Sequence, residues 1–169
     1  MKYINRIILA GPLAAASLFG SAAHAGALAD YAENKIVDSL LRGQAIGAPV
    51  TGYIALYTVC PTDSTAGTEV TGGSYARVAI TAGLTQWAGT QSAGSTVASS
   101  GTGGTTSNNA VLAFPTPTAS WNTVVCWAYT DAATAGNIWF YSALTVSKTI
   151  NIGDAVSFSA GSATFQIDN

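Results

Sequence analysis

Charge is what this sequence lacks most. Lysine and arginine together number 6 and aspartate and glutamate 8, so charged residues make up 8% of the 169-residue chain, against a usual share of about 25%. The net charge is -2. A chain of this kind cannot neutralise a run of phosphates, which excludes nucleic acid as a partner. It also lacks the charge that keeps an isolated monomer in solution, which points to an assembly subunit or an extracellular protein. Histidine occurs once, at His24. No serine or cysteine further along therefore has an imidazole to activate it, and zinc has no ligand set. The glycines of "GTGGTTSNN" (101–109) have no lysine and no strand–helix context, so they form no phosphate loop. The calcium-loop pattern is missing too. Asp131 and Asp154 stand beside turn residues, the ordinary place for aspartate, which leaves a glycosidase-like carboxylate pair with little support. Neither an enzymatic activity nor a cofactor is expected.

What is present is apolar and small. Hydrophobic residues make up 49% of the chain and glycines number 18, enough for one domain with a core. Residues 1–25 open with Lys2 and Arg6, continue with "IILAGPLAAASLF" and reach "AHA" at Ala23 to Ala25. They read as a signal peptide, with an apolar N-terminal arm packed on a neighbouring subunit as the alternative. Residues 26–169 then form a single domain. Its first element is a helix over 28–42. Leu28, Ala32, Ile36 and Leu40 recur every fourth residue, and Tyr31, Val37 and Leu41 widen the stripe. Asp30 and Glu33 lie early, Arg42 late, and Gly43 follows as a C-cap. The stripe is expected to cover one end of a sheet or a neighbouring subunit.

From Pro49 onward the chain reads as strands. "GYIALYTV" is apolar on both faces and is expected at the centre of a sheet. "SYARVAIT", "NAVLAF", "WNTVVCWAYT", "IWFYSALTV" and two segments after Lys148 follow, separated by turn signals. Residues 88–109 are almost all Gly, Ser, Thr, Ala and Asn, and predict a low-complexity loop or a long surface hairpin. This spacing favours an all-β fold: an antiparallel β-sandwich, Ig-like or jelly-roll-like, with one short N-terminal helix. Cys60 and Cys126 either form a disulfide in an oxidising compartment or stay unpaired as small hydrophobes.

Arg77 is unusual in so uncharged a chain. In "SYARVAI" it shares a face with Tyr75 and Ala79, opposite Ala76, Val78 and Ile80. If the second face is the core side, Arg77 looks outward or into an interface, where its fork would engage a carboxylate such as Asp38 or Glu69. The candidate interface residues are thus Tyr31, Ile36, Leu40, Tyr75 and Arg77. Trp121, Trp127, Trp139 and Tyr141 are candidates for a sugar-stacking platform, but aromatic residues in sandwiches more often build the core.

In order along the chain come "LADYAENKIVDSLLRG", "YIALYT", "GTEVTGGSYARVAI", "SNNAVLAFPTPTASW", "DAATAGNIWFYSAL" and "TVSKTINIGDAVSFSAG". This ordered set resembles a family of small tailed-bacteriophage virion proteins, described as tail-fibre-like, minor capsid or decoration proteins, over residues 27 to 167. The resemblance implies a structural subunit of a virion that contacts copies of itself and other virion proteins, with no catalytic residues to carry over. The readings that compete with it are an exported carbohydrate-binding module, whose partner would be a host-surface glycan, and a secreted or cell-surface structural subunit. Exposed coplanar tryptophans would favour the carbohydrate-binding module.

Overall fold

The computed structural model describes residues 26–167. The segment 1–25, read above as a signal peptide or arm, lies outside the described residues. The elements in chain order are β1 (Ala27–Leu28), α1 (Asp30–Arg42), β2 (Thr51–Val59), β3 (Thr68–Glu69), β4 (Val78–Thr81), β5 (Thr105–Ser107), β6 (Leu112–Ala113), β7 (Asn122–Thr130), β8 (Ile138–Ile150), β9 (Ser157–Phe158) and β10 (Thr164–Gln166). The core is all-β, with a single short helix near the N-terminus of the described residues.

A six-stranded antiparallel sheet runs β1-β8-β7-β2-β3, with β4 also paired to β2. Strand β2 is central, as its doubly apolar pattern requires. Its run from Ile54 to Tyr57 is buried on both faces. Gly52 opens this strand beneath the ring of Tyr129, and a Cβ there would overlap the ring. Two short ribbons, β5 with β10 and β6 with β9, make up the remaining pairing. Ile54, Leu56, Trp127 and Tyr129 of the main sheet share one hydrophobic cluster with Leu112, Phe158 and Phe165 of the ribbons. The opposite face carries a smaller cluster of Ala55, Tyr57, Cys126 and Ala128.

Strict alternation along β7 would put Val124 with Cys126 and Ala128. The β7–β8 ladder is irregular there, with Val124 opposite Lys148 but Cys126 opposite Ala143. Val124 joins the larger cluster while Cys126 and Ala128 stay in the smaller one. A second irregularity leaves Trp139 as an extra residue between the pairs Tyr129–Phe140 and Thr130–Ile138. Such a bulge re-aims a side chain. Here it brings Trp139 against Tyr31 of α1, edge to face, with ring centroids 5.4 Å apart.

Helix α1 begins two residues later than the apolar spacing suggests, because Ala27 and Leu28 pair with β8. It ends where expected. Gly43 adopts φ 68° and its N–H reaches the Asp38 carbonyl. The helix buries only the first part of its stripe against its own domain, where Leu28, Tyr31 and Ala32 meet the core. Ala32 is its one buried residue, whereas Leu40 is 77% and Leu41 82% exposed. The expected cover of the sheet is therefore confined to the start of the helix, at Tyr31 and Ala32.

The low-complexity segment divides into two parts. Residues 90–103 stay at the surface, stitched by side-chain bonds such as Thr90 Oγ1 to the Ser100 carbonyl at 2.9 Å. Thr105–Ser107 instead forms β5, and Asn108 is fully buried. The Asn108 amide donates to the carbonyls of Ala110 (2.7 Å) and Ser159 (2.8 Å), while its Oδ1 accepts the Ala163 N–H at 2.8 Å. Truncating Asn108 to alanine leaves the buried Ala163 N–H without its acceptor, while the Ser159 carbonyl keeps the Ser162 N–H and hydroxyl. The expected loss is about 2 kcal/mol of unfolding free energy, since one buried orphan costs roughly 1–3 kcal/mol. Urea denaturation measures it. A midpoint equal to that of the parent protein would show that Asn108 does not pin the ribbons.

Candidate functional site

The Arg77 guanidinium is where the chain concentrates its buried polar chemistry. Arg77 lies just before β4, not within its ladder. Left-handed backbone at Gly72, Gly73 and Ser74 turns the chain immediately upstream. The side chain points inward and is 6% exposed. Nε donates to Glu69 Oε1 at 2.8 Å and Nη2 to Glu69 Oε2 at 2.7 Å, a two-pronged pairing. Nη1 lies 2.9 Å from Thr130 Oγ1, 2.7 Å from the Ala132 carbonyl and 2.8 Å from the Ala135 carbonyl. One arginine thus ties β3, the end of β7 and the β7–β8 hairpin together. Its outward or interfacial placement, expected from strand alternation, is corrected by this geometry. Of the two carboxylates named as partners, Glu69 of the same chain is the one engaged. Asp38 pairs instead with Arg42, 3.3 Å away on the helix.

Tyr75 completes the cluster. Its hydroxyl donates to Glu69 Oε1 at 3.0 Å and accepts the Leu56 N–H at 2.9 Å. Burial drives the Tyr75 pKa far above the ordinary phenol value. Burial, with the Glu69 charge adding, pushes the neighbouring Tyr57 up to about 12. The hydrogen bond to Glu69 raises the Arg77 pKa against the opposing effect of burial, so the guanidinium remains charged. A shallow cavity of about 450 Å³ opens beside the cluster between Val70, Gly72, Ala76 and Thr134. The groups on its wall are already engaged with one another. The cluster holds no nucleophile with a base, and its chemistry is that of a structural clamp.

A second polar junction lies at the root of α1. The Asp63 carbonyl accepts the Asp30 N–H at 3.1 Å, and the Ala29 N–H donates to the Trp139 carbonyl at 3.1 Å. The Asp63 carboxylate accepts the Tyr141 hydroxyl at 2.6 Å. Partial burial followed by this bond pushes Tyr141 up to about 12. Asp63 belongs to the loop held by a disulfide between Cys60 and Cys126, whose Cα atoms are 5.3 Å apart. Among the described residues no cysteine is free.

The carboxylates in turns serve those turns. Asp131 accepts from the Asn137 backbone at 2.7 Å and its side-chain amide at 2.8 Å. Burial acts to raise its pKa, but these bonds outweigh burial and hold it below the usual range. Asp154 accepts the Asn151 N–H at 2.7 Å. No cluster of metal-ligating side chains occurs among the described residues.

The aromatic candidates for sugar stacking do not form an open platform. Trp121, Trp127 and Trp139 are 1%, 3% and 8% exposed, and rings this buried have no free face for a sugar. The indole of Trp121 donates to the Gly73 carbonyl at 2.9 Å, fixing the turn that aims Arg77. Tyr141 is half-buried and spends its hydroxyl on Asp63. Of the interface candidates, Tyr75 and Arg77 turn inward, Tyr31 rests on Trp139, Ile36 is half-buried and Leu40 is open to solvent. Reading the sequence alone missed Thr130 and Asn108. Neither carries a local signal, since each is an ordinary polar residue whose partners come from distant segments.

The fold is thus charge-poor and braced by a disulfide, and its polar clusters bond within the chain. The chain matches the family described as podophage GP4 fiber I protein gp80 over residues 27–166, and it belongs to that family. It is a structural component of a bacteriophage virion, associated with other virion components. No curated protein matches the chain.

Proposed function

We propose that the protein is a building subunit of the tail appendage, joined to further copies of itself, and not a capsid decoration. The observation that carries this reading is the family match across residues 27–166 to a fiber protein. The exposed apolar side of α1 supports it as a surface made for assembly. Residues 26–169 act as one domain, a β-sandwich in which the two ribbons stand in for a continuous second sheet over the larger core cluster. Residues 1–25 act as a leader removed after Ala25.

Peptide mass spectrometry of washed particles, with immunogold labelling against the chain, tests the assignment. The expected result is label confined to the tail and an intact mass beginning at Gly26. Label spread over the capsid would overturn the tail assignment. Particles free of the protein would overturn membership of this phage's virion, and a mass that includes Met1 would overturn leader removal.

A further inference from the structure

Tyr57 of β2 sits between two partners in the main sheet, opposite Cys126 of β7 on one side and Glu69 of β3 on the other. It packs in the smaller core cluster with Ala55, Cys126 and Ala128 and is 2% exposed. A cavity of about 230 Å³ opens against it, with Glu69, Arg77 and Ile138 also on the wall. Gly67 of the disulfide-held loop and Gly136 of the β7–β8 hairpin bound the same space. The hollow beside Gly72 and Ala76 is a different one, although the Arg77–Glu69 pair lines both.

Three polar groups on this wall keep bonding capacity that the chain does not use. Among the described residues nothing bonds to the Tyr57 hydroxyl, although the charges of Glu69 and Arg77 reach it. A guanidinium has five N–H donors. In Arg77, Nε and one N–H of Nη2 go to Glu69, and Nη1 serves Thr130, Ala132 and Ala135. The other N–H of Nη2 is left over. A carboxylate has about four acceptor sites. Glu69 Oε1 takes both Tyr75 and Arg77, while Oε2 takes Arg77 alone. Burying a hydroxyl without a partner costs stability, and buried tyrosines usually find one. Phenylalanine at position 57 would serve the fold better, so the hydroxyl points to a partner outside the chain.

We infer that this cavity binds a single neutral sugar ring. Charge sets the first condition. Glu69 and Arg77 offset each other, so an anion would be repelled by the carboxylate and a cation by the guanidinium. The unused groups set the second. Arg77 offers a donor, Glu69 Oε2 an acceptor, and Tyr57 a hydroxyl that does either. A sugar hydroxyl also donates and accepts at once. One ring hydroxyl can therefore accept from Arg77 and donate to Glu69, while its neighbour bonds Tyr57. Ile138 offers an apolar side chain to the C–H groups of the ring. The volume lies below the roughly 300–1,000 Å³ of drug-sized pockets, which limits the site to one ring. The buried tryptophans play no part in it, and it does not depend on where in the virion the subunit stands.

Tyr57→Phe tests the inference, because it removes the hydroxyl and no bond within the chain. Its urea midpoint should equal or exceed that of the parent protein. Saturation-transfer NMR of the oxidised full chain uses the methyl glycosides of D-glucose, D-galactose and D-mannose as probes. Transfer to at least one of them is expected. That glycoside should bind Tyr57→Phe about tenfold more weakly, the effect of one lost hydrogen bond. N-methylacetamide, which mimics a peptide group, and acetate are titrated beside the sugars. Absence of transfer to all three glycosides overturns the inference. So does sugar binding that Tyr57→Phe leaves unchanged, or tighter binding of N-methylacetamide or acetate than of every glycoside. A Tyr57→Phe midpoint well below that of the parent protein overturns it as well, since the hydroxyl would then be bonded within the chain.

Discussion

Replacing Arg77 with methionine is expected to lower the unfolding free energy by about 3–5 kcal/mol, the range for breaking a buried pair by removing one partner. Methionine keeps much of the length and apolar stem but none of the donors. Glu69 is then left with only the Tyr75 hydroxyl, and the carbonyls of Ala132 and Ala135 lose the donor that ties the hairpin. Glu69 is 25% exposed, so water moderates the cost on its side and the lower half of the range is favoured. Urea denaturation of Arg77→Met, Glu69→Gln and the double variant gives the coupling directly. The double variant should recover part of the loss, since it no longer leaves an unpaired carboxylate. A single variant whose midpoint equals that of the parent protein would mean that the cluster is not a clamp.

The same cluster gives the protein an alkaline limit. Tyr57 is raised to about 12 and Tyr75 is raised further, each first by burial. In the unfolded chain a tyrosine ionises near pH 10, while the folded chain keeps its proton. The folded state therefore binds more protons across that window, and stability falls as pH rises. The contribution is fully present below about pH 10 and is lost on passing through about 12 for Tyr57.

Which parts of this architecture are legible in the sequence follows from the range of the interactions. The end of α1 is read correctly because its signal is local: Gly43 supplies the left-handed C-cap within one turn of the last apolar residue. Strands β2, β7 and β8 are read because aromatic and branched residues alternate over long runs. Arg77 is misplaced by the same logic. Alternation assumes a regular ladder through residues 75–81, whereas pairing of β4 starts at Val78 and Ser74 adopts φ 62° just upstream. The direction of Arg77 is set by that turn, which Trp121 fixes from 48 residues away. Strand β5 is hidden in a Thr- and Gly-rich stretch because its partner β10 is distant and its anchor is the single side chain of Asn108. The exposure of the α1 stripe is likewise illegible, since its amphipathic pattern says that the stripe wants cover and not which molecule provides it.

The disulfide carries the remaining large effect. Cys60 and Cys126 are separated by 66 residues, and on the chain-entropy account a cross-link over a loop of that size stabilises by about 4 kcal/mol. Its second consequence is positional. Cys126 lies in β7, and Cys60 begins the loop that returns through Gly67 to β3. Gly67 has φ 64° and packs against the backbone of Val59, Cys60 and Pro61, where no side chain fits. Within the loop, the Thr62 and Thr65 hydroxyls bond at 2.7 Å. The loop thereby holds Asp63 where it receives the Asp30 N–H and the Tyr141 hydroxyl. The bridge thus braces the base on which α1 stands. The Cys60→Ala/Cys126→Ala variant is expected to lose about 3–4 kcal/mol of unfolding free energy. Its amides at Ala29 and Asp30 should exchange hydrogen faster than the drop in global stability accounts for, while those of β2 and β7 should quicken only in line with that drop. Uniform acceleration at all of these sites would confine the bridge to a global role. A variant as stable as the oxidised parent protein would remove it from both roles.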